Sequence, residues 1–281
     1  MLAGLKIVIG VVVYRLRKLE MANLAGAVSI ALALHLPWLE VGYRTAFAFL
    51  LNVLVYLNND YHDIGTDLRS TDKDAHKSRF FAEHMRAALV AQWVLVAILA
   101  AVALLVDRGL LVALVAGGGS CILYSAKLKH LPGWDIIAMM IWGAAMPLCG
   151  SPLDSTLGLC LALQLGLFSG VFESVQVMRD ADQDALEGLR TTGVVLGKAR
   201  TLVLARAIMV ASSVYALLVL HPLAAVISAG ALVLPFAPDR VERYWTRIKM
   251  VYGVAWLALC GFVYLYGHSQ GLLVSIGRAA S

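Results

Sequence analysis

Apolar residues in this chain come in long runs rather than in short alternating segments. Nine runs can be drawn, at about 21–38, 41–58, 87–106, 109–125, 134–150, 157–178, 201–220, 222–236 and 250–267, each closed by charge, Pro or Gly. In lipid every backbone N–H and C=O must find a partner within the protein, so only helices or closed barrels can cross. A barrel strand reads as about ten residues of alternating polarity, whereas about 20 consecutive apolar residues span as a helix. Composition agrees: 60% of the residues are hydrophobic and only 15% are charged, against about 25% in an ordinary soluble domain. Disordered chains are apolar-poor and charge-rich, the opposite of this one. The expectation is an all-α polytopic membrane protein with nine transmembrane helices, residues 1–281 forming one transmembrane domain.

Nine spans alternate the loops between two sides, and the bases test that alternation. Nineteen of the 23 Lys and Arg fall on the side of the N-terminus, from Lys6, Arg15, Arg17 and Lys18 through Arg69 and Lys73 to Lys249. Arg44, Arg108 and Arg278 fall on the other, and Arg206 lies inside the seventh span. The positive-inside rule then puts the N-terminus in the cytoplasm. The short run before Tyr14-Arg15-Leu16-Arg17-Lys18 lacks a small-residue cleavage pattern and reads as an interfacial helix leading into the first span. Between Pro235 and Met250, Val241, Tyr244, Trp245 and Ile248 recur at helical spacing with Arg240, Arg243 and Arg247 elsewhere, which reads as an amphipathic surface helix. Cys121, Cys149, Cys160 and Cys260 all sit in apolar runs, as buried structural thiols do. No basic stripe on a soluble face appears, so nucleic acid is not an expected partner.

The acids follow a different rule. Nine of the 18 fall in two stretches on the cytoplasmic side. One runs through Asn59, Asp60, Asp63 and Asp67 to Asp72 and Asp74; the other is Asp180 to Glu187. Asn59, Asp63 and Asp67 are four apart, as are Gln176, Asp180 and Asp184, and each pair is offset by 117 residues. Residues at i and i+4 share a helix face, so each trio makes a ladder of one amide and two carboxylates where the second or sixth span emerges. Like charges at that spacing cost roughly 0.2–0.5 kcal/mol per pair on a bare helix. Repeating that cost at matching depth suggests that cations sit there. Oxygen donors without His or Cys favour a hard ion, and Mg²⁺ uses a few carboxylates together with water and phosphate oxygens. Two facing ladders would hold a diphosphate through bridging ions. Lys77, Arg79, Lys127, Lys129, Arg179 and Arg190 lie near the ladders and suit phosphate oxygens; Lys127 and Arg79 are favoured among them. Asp60 and Asp182 fall off the ladders by helical spacing and are secondary. His62 reads as a bystander.

These residues resemble a known family. Asn59-Asp60-x-x-Asp63-x-x-x-Asp67 resembles the first Asp-rich motif of the UbiA superfamily of intramembrane prenyltransferases, and Asp180-x-x-x-Asp184-x-x-x-Gly188 with Arg190-Thr191-Thr192 resembles the second. Tyr124-Ser125-Ala126-Lys127-Leu128-Lys129 is similar to the family's tyrosine-plus-basic segment. The resemblance implies nine helices around a central cavity open sideways to lipid, beneath a cytoplasmic polar cap. It implies Mg²⁺-dependent ionisation of a prenyl diphosphate. Asp63, Asp67, Asp180 and Asp184 become metal ligands with Asn59 accessory, and Lys127, Arg79, Arg190, Lys77 and Tyr124 become diphosphate contacts. The sequence departs from the family at Ile64, where hydroxybenzoate-using members carry arginine, at Phe80-Phe81 after Arg79, and at Glu173 and Gln176, where many aromatic transferases have Asp and Tyr.

Prenyl transfer to a lipophilic acceptor is the leading expectation. A membrane terpene cyclase, in which the cation is captured by its own double bonds, would use the same motifs. A cation transporter is a more distant reading, because the acids gather at one membrane face and none continues a path across.

Overall fold

The computed structural model describes residues 2–17, 20–68 and 75–274. Lys18, Arg69, Asp72, Lys73, Asp74 and Arg278 lie outside the described residues. Among the described residues all regular structure is helical, as α1 (Leu2–Arg17), α2 (Ala22–Ala33), α3 (Trp38–Asp67), α4 (Ala75–Glu83) and α5 (Met85–Leu105). Next along the chain come α6 (Leu110–Ala126), α7 (Trp134–Gly150), α8 (Thr156–Leu186), α9 (Thr192–Leu220), α10 (Pro222–Val233) and α11 (Val241–Tyr266). By length and composition α3, α5, α8, α9 and α11 can each cross a membrane. The other four expected runs hold only shorter apolar helices, α2, α6, α7 and α10, so among the described residues five of the nine expected spans are long enough to cross by this measure.

The long helices carry the site. α3 has 30 residues and α8 has 31, and at 1.5 Å per residue each is about 45 Å long, roughly 15 Å more than the hydrocarbon core. The acid ladders occupy the last turns of both, so they stay helical as they leave the apolar layer. The helical ladders expected where the second and sixth spans emerge are formed, as helix continues to Asp67 and Leu186.

Two apolar clusters divide the bundle. One gathers Phe47, Leu51, Leu54 and Leu57 of α3 with residues of α1, α5, α6 and α7. The other gathers Leu161, Val171, Val175 and Met178 of α8 with residues of α2, α9, α10 and α11. In lipid the apolar side chains gain little from leaving one hydrocarbon for another, so close backbone approach has to hold the helices. Glycine supplies it at the α8–α9 junction: a Cβ on Gly193 would lie 1.9 Å from the Val177 carbonyl oxygen. Outward positions on α5 and α11, such as Leu105 and Leu257, stay exposed and suit contact with acyl chains.

One expectation is corrected. The segment after Pro235 is not a separate surface helix. From Val241 it is the first part of α11, and Val241, Tyr244 and Ile248 are buried in the α8 cluster. Their apolar stripe marks a core-facing helix, because neighbouring helices and not headgroups cover it. α1 forms as expected, with Ile7 and Val11 buried against the α3 cluster. Cys121, Cys149 and Cys260 are buried free thiols and Cys160 is half-buried. At the end of the bundle away from the ladders, Arg44 is bound to Asp107 at 2.5 Å and donates to the Ser151 carbonyl at 3.0 Å, tying α3 to the α5–α6 and α7–α8 connections.

Candidate active site

The ladders of α3 and α8 face one cavity of about 410 Å³ between the two apolar clusters. Asp63 and Asp67 line one wall; Gln176, Asp180 and Asp184 line the other, with Glu173 one turn deeper. The end of α6 closes a third side with Tyr124 and Ser125. Asn59 is half-buried behind them, its Oδ1 accepting from Ser125 Oγ at 3.4 Å. Tyr124 Oη donates to Glu173 Oε1 at 3.0 Å, so the deepest polar wall is a hydrogen-bonded pair. His62 also lines the cavity, at its mouth.

The carboxylates have partners in this structure. Asp63 is ion-paired with Lys129. Asp180 takes Arg179 on both oxygens, at 2.7 and 2.9 Å. Asp184 Oδ2 accepts from Thr191 Oγ1 at 3.0 Å. Thr191 is held in place through its neighbour Thr192. The Thr192 N–H donates to the buried Asp135 carboxylate at 2.7 Å, Thr192 Oγ1 donates to its other oxygen, and Gly133 N–H donates to Thr192 Oγ1 at 2.6 Å. Asp135 therefore joins the start of α7 to the start of α9, behind Asp184.

Sequence reasoning ranked the bases differently from the structure. α6 ends at Ala126, and Lys127 adopts φ −147° before a 3₁₀ turn at Leu128–His130. That break in helical phase leaves Lys127 exposed and turns Lys129 and His130 onto the cavity wall. Burial, and then the Lys129 ammonium, hold the His130 imidazole below its ordinary range, while Asp63 opposes them. Arg79 and Arg190 are exposed and do not line the cavity. Lys77 reaches Asp60 at 3.0 Å. Asp60 does not point into solvent off the ladder: it is buried, paired with Arg15 and Lys77, and lines a small recess together with Ile64 and Asp67. A straight α-helix brings residues seven apart to within about 20° of one another, so Asp60 and Asp67 share a face. Asp182 points away, exposed and paired with Lys198 at 2.7 Å. Lys129 was visible only as one of several nearby bases. The signal for Asp135 was an acid at the head of an apolar run.

Among the described residues, no three His, Cys, Asp or Glu side chains group closely enough to hold a metal ion by themselves. The cavity offers scattered carboxylate and amide oxygens on facing walls. That donor set fits Mg²⁺, which binds through one or two carboxylates per ion and fills its octahedron with water and phosphate oxygens.

Comparison with known proteins gives a consistent picture. No curated protein sequence matches the chain. Its fold is similar to that in a structure of digeranylgeranylglyceryl phosphate synthase, with a TM-score of 0.75 at 15% identity, over 93% of this chain and 99% of that one. A UbiA homologue from Archaeoglobus fulgidus is similar in two structures. With DMAPP and Mg²⁺ bound, its TM-score is 0.60 at 13% identity, over 88% of this chain and 97% of that one. With GPP and Mg²⁺ bound, the TM-score is 0.63 at 15% identity, over 87% and 96%. The model of the UbiA prenyltransferase family matches residues 21–249, most of the sequence, and the chain belongs to that family.

Proposed function

We propose that this protein ionises a prenyl diphosphate with Mg²⁺ and transfers the prenyl group to a lipophilic acceptor, the whole chain acting as one transmembrane domain with its N-terminus and site loops cytoplasmic. The observation that carries the reading is the pair of acid ladders facing one cavity, with Lys129 among them. The relatives bound to DMAPP or GPP with Mg²⁺ lend it support. Asp63, Asp67, Asp180 and Asp184 would hold the ion, with Asn59 accessory. When bound, Mg²⁺ supplies the Lewis acid that neutralises charge developing on the leaving diphosphate.

The chain's own groups do the rest. Lys129 and Arg179 neutralise Asp63 and Asp180. Were Asp63 taken up by a metal ion, Lys129, which lines the cavity, would be freed for a phosphate oxygen; Arg179 lies instead towards Glu242 and Trp245 of α11. Tyr124 and Glu173, deeper than the ladders, lie where the allylic end of a diphosphate held at the ladders would point. The surrounding apolar helices keep water from the cation. The prenyl tail is a hydrocarbon and can enter from the bilayer.

Cyclisation without an acceptor draws support from Ile64, which packs against the apolar cluster of α3 and offers an acceptor carboxylate no charge. The test incubates the purified protein in nanodiscs with Mg²⁺ and prenyl diphosphates of several lengths, with and without a lipid-alcohol or quinone-precursor acceptor. Prenylated acceptor supports transfer. Cyclic hydrocarbon or terpene alcohol in the acceptor-free arm replaces transfer with cyclisation. Absence of Mg²⁺-dependent diphosphate release in every arm refutes both.

A further inference from the structure

The family match begins at residue 21, yet α1, which precedes it, is bolted to the first Asp-rich motif. Arg15 is 7% exposed, and its Nη2 donates to Asp60 Oδ1 at 2.5 Å. Asp60 is 4% exposed, and its second oxygen accepts from Lys77 of α4 at 3.0 Å. Arg15 Nη1 reaches Glu20 at 2.6 Å, and the guanidinium lies 4.4 Å over the Tyr56 ring of α3. Tyr56 Oη in turn donates to the Glu20 carbonyl. Lys77 lies 4.3 Å over the Tyr14 ring. Three helices thus meet at one carboxylate, immediately after Asn59 and on the face of α3 that carries Asp67. Asp60 is buried and does not line the cavity that Asp63, Asp67, Asp180 and Asp184 share, so it is a structural anion of this junction. The rest of α1 secures the clamp: Ile7 and Val11 pack inward, while Leu2, Leu5, Ile9, Val13 and Leu16 form an outward apolar stripe that suits the acyl layer.

We propose that Arg15 is a positioning residue of the reaction: through Asp60 it fixes the end of α3, and with it the pose of Asn59, Asp63 and Asp67. This rests on reading the ladders as the metal–diphosphate site. A planar guanidinium that grips Asp60, Glu20 and the Tyr56 ring together can set a helix end more firmly than an ammonium can. Groups that orient ligands in this way typically cost about 10–100-fold in metal affinity or activity when removed.

The experiment uses the full chain in nanodiscs, with Mn²⁺ plus inorganic diphosphate as the probe. Binding is read by Mn²⁺ electron paramagnetic resonance, turnover by diphosphate release, and folding by tryptophan melting. Arg15→Met is expected to weaken Mn²⁺ binding and lower kcat, each by about 10–100-fold, with KM for the prenyl diphosphate changed far less. Arg15→Lys should recover part of the loss, and exposed Arg17→Met should match wild type. If Arg15→Met melts early, Arg15→Lys decides: wild-type Mn²⁺ affinity and kcat in that folded variant would overturn the proposal. Unchanged binding and kcat in a folded Arg15→Met overturns it while leaving the ladder reading intact. Failure of wild type to bind Mn²⁺ with diphosphate removes the ladder reading, and the proposal with it.

Discussion

Asp135 gives the sharpest test of how the second ladder is held. It is 1% exposed, and its two oxygens accept from Thr192 N–H at 2.7 Å, Ile136 N–H at 2.9 Å and Thr192 Oγ1. Asp135→Ala removes the acceptor from all three donors in a place that bulk water does not reach. A buried donor left without a partner costs about 1–3 kcal/mol. The Thr192 hydroxyl can rotate, so the sum falls nearer the lower end, at about 3–5 kcal/mol, the size of loss seen when a buried charged partner is removed. At roughly 2–4 °C per kcal/mol for a chain of this length, the melting midpoint drops by about 6–20 °C. Asp135→Asn keeps an oxygen for Thr192 N–H and should cost about 1–2 kcal/mol, a drop of roughly 2–8 °C. The assay is tryptophan fluorescence melting in one detergent, with diphosphate release measured below both midpoints. Because Thr192 adjoins Thr191, and Thr191 donates to Asp184, Asp135→Ala should also lower turnover while folded. An alanine variant melting within about 2 °C of wild type would refute the burial reasoning.

Asp63→Ala and Asp180→Ala should each abolish Mg²⁺-dependent diphosphate release while melting near wild type, and retained activity in either removes that residue from the ligand set. Lys129→Met should raise KM for the prenyl diphosphate about tenfold, a charge-assisted contact of roughly 1.4 kcal/mol, whereas Lys127→Met should change it little; equal effects of the two would reverse the assignment. Arg44→Met should lower the melting midpoint without changing KM, because its partners Asp107 and Ser151 lie at the end away from the ladders. For His130, the folded imidazole is held below the ordinary 6.5 by burial and Lys129. The unfolded chain therefore takes the proton first, and this group's contribution to stability falls as pH drops below about 6.5, levelling off under its folded value. His130→Gln should flatten that part of the stability–pH curve, and an unchanged slope refutes the contribution.

What the sequence by itself determined rests on local rules. Run length and the demand for internal backbone pairing in lipid make the chain helical and membrane-spanning. The i, i+4 spacing puts Asn59, Asp63 and Asp67 on one strip of a helix, and Gln176, Asp180 and Asp184 on another, wherever those helices go. Only the tertiary structure decided which groups meet the strips. Lys127 and Lys129 cannot be ranked by spacing, because α6 loses its helical phase at Lys127 and the two side chains part. Asp60 looks idle on a helical wheel, because its partner Arg15 is 45 residues away on a helix that packs there through Ile7 and Val11. Asp135 is 57 residues from Thr192, and the stripe of Val241, Tyr244 and Ile248 is the same whether lipid headgroups or α8 cover it. Periodicity reports which residues share a face; only the packed bundle says what that face touches.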